Sequence, residues 1–308
     1  MACQTTAPPA TRDASTTEAL EFVTAPDGVR LAVYEWGDPT RPELLLIHGF
    51  AQCHLCFAPQ TASELVRSFR VVAYDQRGHG ASEQPVDPMA YQARDVWAKD
   101  LAAVIAAKHL RRPVLAGWSM GGRVIRQYLM RFGDATLAGI NFISSLVIED
   151  PRARGPAGGL GRATGPQPLA QQLRESIAFL ESCFAIRPDE QTFRIALAYN
   201  MLVPKHVRAA IGQWSTDPEA TIAALRDVRV PVLITHGRRD SIVLPRAAEM
   251  TAEAIPGAQL SWYDDCGHSP FQENASRFNR ELSEFVTSAV RAGTAPSHTH
   301  QPDGKKPT

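Results

Sequence analysis

Short β-branched and aliphatic runs alternate along this chain with longer stretches in which apolar positions recur every three or four residues. The runs are Val29–Trp36, Leu44–His48, Val71–Asp75, Val114–Trp118, Leu137–Leu146, Val232–His236 and Leu260–Tyr263, and they read as strands. Leu44-Leu45-Leu46-Ile47 and Val232-Leu233-Ile234 are continuously apolar, the pattern of strands buried on both faces. Val29–Trp36 instead mixes polar and apolar positions, with Leu31, Val33 and Glu35 on one face, which suits an antiparallel edge. Between the runs, Tyr91–Leu110 puts Trp97, Leu101, Val104 and Ile105 on one helical stripe. The stretch Asn274–Val290 repeats that spacing through Phe278, Leu282, Phe285 and Val286. This alternation predicts an α/β fold: a mostly parallel sheet, helices on both faces, and ligands at the carboxyl ends of the strands.

Residues 148–227 break the rhythm. They contain no convincing strand; a Gly/Pro-rich stretch, Pro151 to Pro168, leads into helical patterns near Leu169–Phe184, Asp189–Leu202, Lys205–Trp214 and Pro218–Leu225. Such a block between two strands reads as an inserted helical cap, with residues 19–147 and 228–291 forming the core. Residues 1–18 and 292–308 are polar and rich in Thr, Pro, Ala, His and Lys, and are expected to be disordered tails.

Composition narrows the function classes. The chain has 308 residues, 44% of them hydrophobic, with Lys+Arg 32 against Asp+Glu 32. A balanced charge offers no clustered positive surface for counterion release, so nucleic acid is not an expected partner. No run of about 18 apolar residues exists, so no membrane span is expected. Five scattered cysteines and a start, Met1-Ala2-Cys3-Gln4, without a basic-then-apolar leader point to the cytoplasm. A lipoprotein or exported form with its leader removed is the alternative that Cys3 leaves open.

The strongest chemical signal is Gly117-Trp118-Ser119-Met120-Gly121-Gly122, placed where an apolar strand meets a helix. A sharp strand-to-helix turn would hold Ser119 in a strained conformation with its hydroxyl above the sheet, and glycines two residues to either side keep the turn free of collisions. A serine hydroxyl needs a base, and that base needs a group to fix its tautomer. Asp240, in His236-Gly237-Arg238-Arg239-Asp240, and His268, in Gly267-His268-Ser269-Pro270, both follow strand runs and fall in loops at carboxyl ends. Asp150 and Asp265 are the rivals for the acid. An oxyanion hole would take the backbone N–H of Met120, after the nucleophile, and of Phe50, in His48-Gly49-Phe50. His54, Phe57 and Trp118 are candidate walls of the substrate pocket. Cys53-His54-Leu55-Cys56 admits three readings: plain loop residues, a redox pair, or part of a metal site.

Together these segments resemble the α/β-hydrolase-fold serine hydrolases, in the style of the cofactor-free haloperoxidase and arylesterase branch. The resemblance rests on His48-Gly49-Phe50, Asp75-Gln76-Arg77-Gly78-His79-Gly80-Ala81-Ser82, Gly117–Gly122, His236–Asp240 and Gly267–Pro270, in that order from about residue 20 to 291. It implies an eight-stranded sheet, a helical cap, a Ser119-Asp240-His268 triad, a small-molecule ester as substrate, and no cofactor or metal. Ala51 stands where haloperoxidase-type relatives often carry Pro, a departure that weakens the peroxidase reading. The alternatives are a different acyl acceptor, such as hydrogen peroxide, lactone opening, or a ligand-binding receptor with a slow residual triad.

Overall fold

The computed structural model describes residues 19–93, 95–158, 168–214 and 217–294. The strands are β1 (Ala19–Thr24), β2 (Arg30–Trp36), β3 (Glu43–Ile47), β4 (Arg70–Tyr74), β5 (Val114–Trp118), β6 (Gly139–Ile143), β7 (Val232–Gly237) and β8 (Gln259–Tyr263). They form one sheet in the order β1-β2-β4-β3-β5-β6-β7-β8. Only the β1–β2 and β2–β4 pairs are antiparallel; every pair from β4 to β8 is parallel.

Every residue of β5, β6 and β7 is buried, as continuous apolar runs require when helices cover both faces. The period-two alternation then sorts side chains between two cores. Leu45, Ile47, Val72, Tyr74 and Leu115 enter one, while Leu44, Leu46, Val71, Ala73, Val114 and Ala116 enter the other. The helix Ala275–Thr294 closes the second core with Phe278, Leu282, Phe285 and Val286, its predicted stripe. Burying each such side chain contributes about 1.5–3 kcal/mol.

The structure departs from the sequence pattern in three places. The strand β1, which has no counterpart among the predicted runs, displaces β2 from the edge. Five of the six β1 residues are exposed, with Leu20 and Phe22 about half open to solvent, so its apolar pattern does not report a buried face. The run Leu137–Leu146 is strand only over Gly139–Ile143, because the chain turns at Ser144 with φ 44°. Tyr91–Leu110 is two helices, Met89–Gln92 and Val96–Ala107, separated where Asp95 takes φ 61°.

Among the described residues four α-helices lie between β6 and β7: Leu169–Ser182, Glu190–Met201, Lys205–Gly212 and Pro218–Arg226. They form the helical cap. Asp189 and Asp217 start two of them by accepting amide hydrogen bonds from the first turn. The final helix runs to Thr294, past the expected core limit at 291. The expected tails, 1–18 and the stretch beyond 294, lie outside the described residues.

Candidate active site

β5 delivers Ser119 to the carboxyl edge of the sheet, where it adopts φ 53° and ψ −112° and opens the helix Met120–Phe132. A non-glycine residue held there stores strain that only a well-determined surrounding maintains. Part of that surrounding is the Ser119 N–H, which donates to Ile143 O at 2.8 Å. A Cβ on Gly121 would stand 2.1 Å from Ile47 O, and one on Gly117 would stand 2.7 Å from the Gly121 carbonyl carbon. The turn therefore closes only with glycine at both places.

Asp240 follows β7 and His268 follows β8, which are parallel neighbours. The two side chains meet: His268 Nδ1 lies 2.7 Å from Asp240 Oδ2. Asp240 Oδ1 accepts the N–H groups of Ile242 and Val243, both at 2.9 Å. His236 Nε2 stands 3.3 Å from Asp240 Oδ2 and donates to Val243 O at 2.9 Å. Burial opposes a charge on Asp240, but His268 and His236 outweigh it and hold the carboxyl well below the usual range. A carboxylate facing Nδ1 fixes the proton there and leaves the other ring nitrogen, Nε2, as the basic one. Trp118 donates its indole N–H to His268 O at 2.8 Å, tying the His268 loop to the end of β5. Asp150, the rival acid, instead grips Arg152, which holds its carboxyl down to about 2.

Phe50 and Met120 line the same cavity as Ser119. Met120 occupies the first helical position, where an N–H has no carbonyl within its own helix to bond. The loop carrying Phe50 is set by two buried imidazoles. Gln76 N–H donates to His48 Nε2 at 2.9 Å and His48 Nδ1 lies 2.7 Å from Gly49 O. Ala51 N–H donates to His79 Nε2 at 3.1 Å and His79 Nδ1 lies 2.9 Å from Arg77 O. In each ring one nitrogen accepts and the other donates, so both are neutral, and burial pushes them down to about 4 and about 3.

Glu273 was not singled out in the sequence, and it joins the His268 loop to the cap. Its Oε1 accepts from Gly267 and Ser269 N–H at 2.8 and 3.3 Å, and its Oε2 from Ala185 and Ile186 N–H at 2.7 and 2.9 Å. Burial raises its carboxyl despite these four amides. The one local sign is an acid in the first turn of the short helix Pro270–Glu273. Asn200, also unflagged, donates from the cap to Ala51 O at 3.1 Å.

The cavity of about 50 Å³ beside Ser119 is lined further by Arg123, Leu146, Arg154, Gly158, Ile211, Ile242 and Val243. His54, Phe57 and Trp118 are not part of that lining. Phe57 is fully buried against Phe271, and Trp118 packs on Phe271 and His268. His54 stacks on Tyr34 with ring centroids 3.5 Å apart and places Nδ1 2.9 Å from Asp75 Oδ1. Cys53, His54 and Asp75 put possible metal-ligand atoms within 4.8 Å of one another. Both Asp75 oxygens are already engaged, Oδ1 by His54 and Oδ2 by Tyr34 OH and Ala81 N–H. Cys53 and Cys56 are buried free thiols that burial pushes well up, an environment opposed to thiolate chemistry.

A parallel sheet, an inserted helical cap and a strained serine between β5 and its helix together define a class. The chain belongs to the alpha/beta hydrolase family, whose family model matches residues 44–281. It is similar to a solved structure described as an aryl esterase from Burkholderia cenocepacia, at 34% identity and TM-score 0.83, covering 89% of this chain and 100% of that one. It is 27% identical over 287 residues to a non-heme haloperoxidase of Rhodococcus erythropolis, covering 87% of this chain and 100% of the relative. It is 26% identical over 282 residues to a bifunctional esterase/perhydrolase of Acinetobacter calcoaceticus, covering 87% and 100%. Among the described residues no helix is long and apolar enough to cross a membrane.

Proposed function

We propose that this protein hydrolyses small-molecule carboxylic esters through an acyl-enzyme on Ser119. The observation that carries the reading is the buried Asp240–His268 pair at 2.7 Å, in the loops after β7 and β8 at the same edge of the sheet where β5 ends in a strained Ser119, with the Trp118 indole N–H bonded to His268 O. As Ser119 Oγ bonds to the ester carbonyl carbon, His268 Nε2 takes the hydroxyl proton. The carbonyl π electrons move to oxygen, where the Phe50 and Met120 N–H groups hold the charge. Collapse breaks the ester C–O bond, and His268 returns its proton to the departing alcohol. A water then adds to the acyl carbon as His268 takes its proton, and collapse releases the acid and regenerates the serine. Asp240 keeps the imidazole in the required tautomer and stabilises its charged form. None of these steps needs a cofactor or a metal.

Ser119→Ala is expected to lower turnover of 4-nitrophenyl acetate by roughly 10⁴–10⁶-fold and to abolish labelling by a fluorophosphonate probe. Activity within about tenfold of the parent would remove Ser119 from the mechanism.

The haloperoxidase and esterase/perhydrolase relatives support a second reading in which hydrogen peroxide replaces water as acyl acceptor. Ala51 has φ 54°, a conformation closed to proline, so the loop after β3 differs from one that carries Pro there. The ratio of peroxyacid to acid formed from one ester in the presence of peroxide separates the two.

A further inference from the structure

Next to Ser119 the cavity wall turns cationic. Arg123, one turn into the helix that Ser119 opens, and Arg154, bridged through its backbone to Val243, both line the cavity. Arg126, fully buried, lies on the same helix three residues beyond Arg123. Among the described residues one carboxylate pairs with these three guanidinium groups. Glu149 Oε1 lies 2.6 Å from Arg123 Nη2 and 3.6 Å from Arg126 Nη1, and its Oε2 lies 2.8 Å from Arg154 Nη2. The Arg123 guanidinium also sits 4.3 Å from the Trp214 ring centroid and donates from Nη2 to Trp214 O at 2.8 Å.

A purely structural tie would match its charges and use its donors, because an uncompensated buried cation is costly. This cluster does neither. Arg123 Nε, Arg126 Nε and Nη2, and Trp214 Nε1 are buried without an acceptor. Arg123 Nη1 has no hydrogen bond to protein among the described residues. The stretch 159–167, which follows Gly158 in sequence, contains an arginine and no Asp or Glu, so its sequence offers no second carboxylate. The balance of charge asks for an anion that enters with the ligand.

We propose that Arg123 and Arg154 form an anion subsite beside Ser119, and that the esters this protein prefers carry a second, free carboxylate. The subsite rests on the ester-hydrolase reading above. Planar guanidinium groups suit this role because their paired N–H donors match a carboxylate's two oxygens.

The test uses two matched pairs of esters: 4-nitrophenyl valerate with mono-4-nitrophenyl glutarate, which places the charge on the acyl side, and phenyl acetate with 3-carboxyphenyl acetate, which places it on the alcohol side. The reading for each enzyme is the ratio of kcat/KM, charged over neutral, so any general loss of activity in a variant cancels. At least one pair should favour the charged ester by about tenfold or more, chiefly through KM, as charge-assisted hydrogen bonds imply. Arg154, 40% exposed at its side chain, is the position to vary because the fold depends on it less than on buried Arg123. Arg154→Met should cut the ratio about fivefold or more, and Arg154→Lys should retain part of it. Equal or lower kcat/KM for both charged esters, or a preference untouched by Arg154→Met, overturns the subsite while the neutral esters still report a working hydrolase. Failure to turn over any of the four overturns the hydrolase reading and the subsite with it.

Discussion

Asp240 shows what a buried carboxylate requires. Two backbone amides take one oxygen and His268 and His236 face the other, so the charge lies in a fully enclosed place with donors on both sides. Asp240→Asn would set an amide against the same donors. Its NH2 cannot accept from His268 Nδ1, and its oxygen can face either the amides or the imidazole but not both. Turnover of 4-nitrophenyl acetate is expected to fall about 10⁴-fold, with the imidazole held in the wrong tautomer. An inert Asp240→Asn beside a damaging Asp150→Asn would move the acid to the other loop. The sequence could offer both aspartates, since each follows a strand run. Which one reaches His268 depended on where the loop after β7 turns back.

Among the elements, the sharp turn at Ser119 was legible because its constraint is local: the glycines needed to close it lie within two residues of the serine. The loop after β8 was legible only in part. His268 could be recognised by its place after the final strand, whereas Glu273 acts through Ala185 and Ile186, nearly ninety residues earlier in the chain. No local pattern encodes a contact of that range. Glu273→Gln keeps the shape but replaces one acceptor oxygen with a donor facing amide donors. It is expected to cost about 1–3 kcal/mol of stability and to lower kcat about tenfold as the His268 loop loosens. Denaturant unfolding and steady-state kinetics check the two effects, and an unchanged kcat would make Glu273 a purely structural clamp. The pocket reading around His54, Phe57 and Trp118 has a similar lesson. All three lie near the right segments, but their rings are taken up by Asp75, Phe271 and the His268 loop instead of the cavity.

For the molecule as a whole, the neutral imidazoles of His48 and His79 bear on stability. Each titrates lower in the folded protein, about 4 and about 3, than the usual 6.5. Below 6.5 the unfolded chain therefore binds protons that the folded chain refuses. Their contribution is present in full above 6.5, falls as pH drops from there, and stops changing only below about 3. The depressed Asp240 adds loss of the same sign as pH falls below its ordinary value of 3.8. Each histidine contributes a slope of up to about 1.4 kcal/mol per pH unit. From pH 7 to pH 5 the two rings should pull the urea midpoint down, opposed in part by Asp100, which burial raises to about 6, and His79→Gln should make the midpoint's fall shallower; an unchanged pH slope in His79→Gln would contradict a neutral, buried ring.

The sequence by itself determined the alternation of strand and helix, the parallel central strands, the cap between β6 and β7, and the order of the chemical segments. Those features rest on periodicity and turn chemistry, which act over a few residues and leave their mark where they act. Tertiary structure alone decided that β1 covers the edge, that Glu273 and Asn200 join the cap to the loops beside Ser119, and that three arginines share one glutamate beside the cavity. Each of those outcomes depends on which distant surfaces meet, and a side chain's partner across the fold has no counterpart in the spacing of its neighbours along the chain.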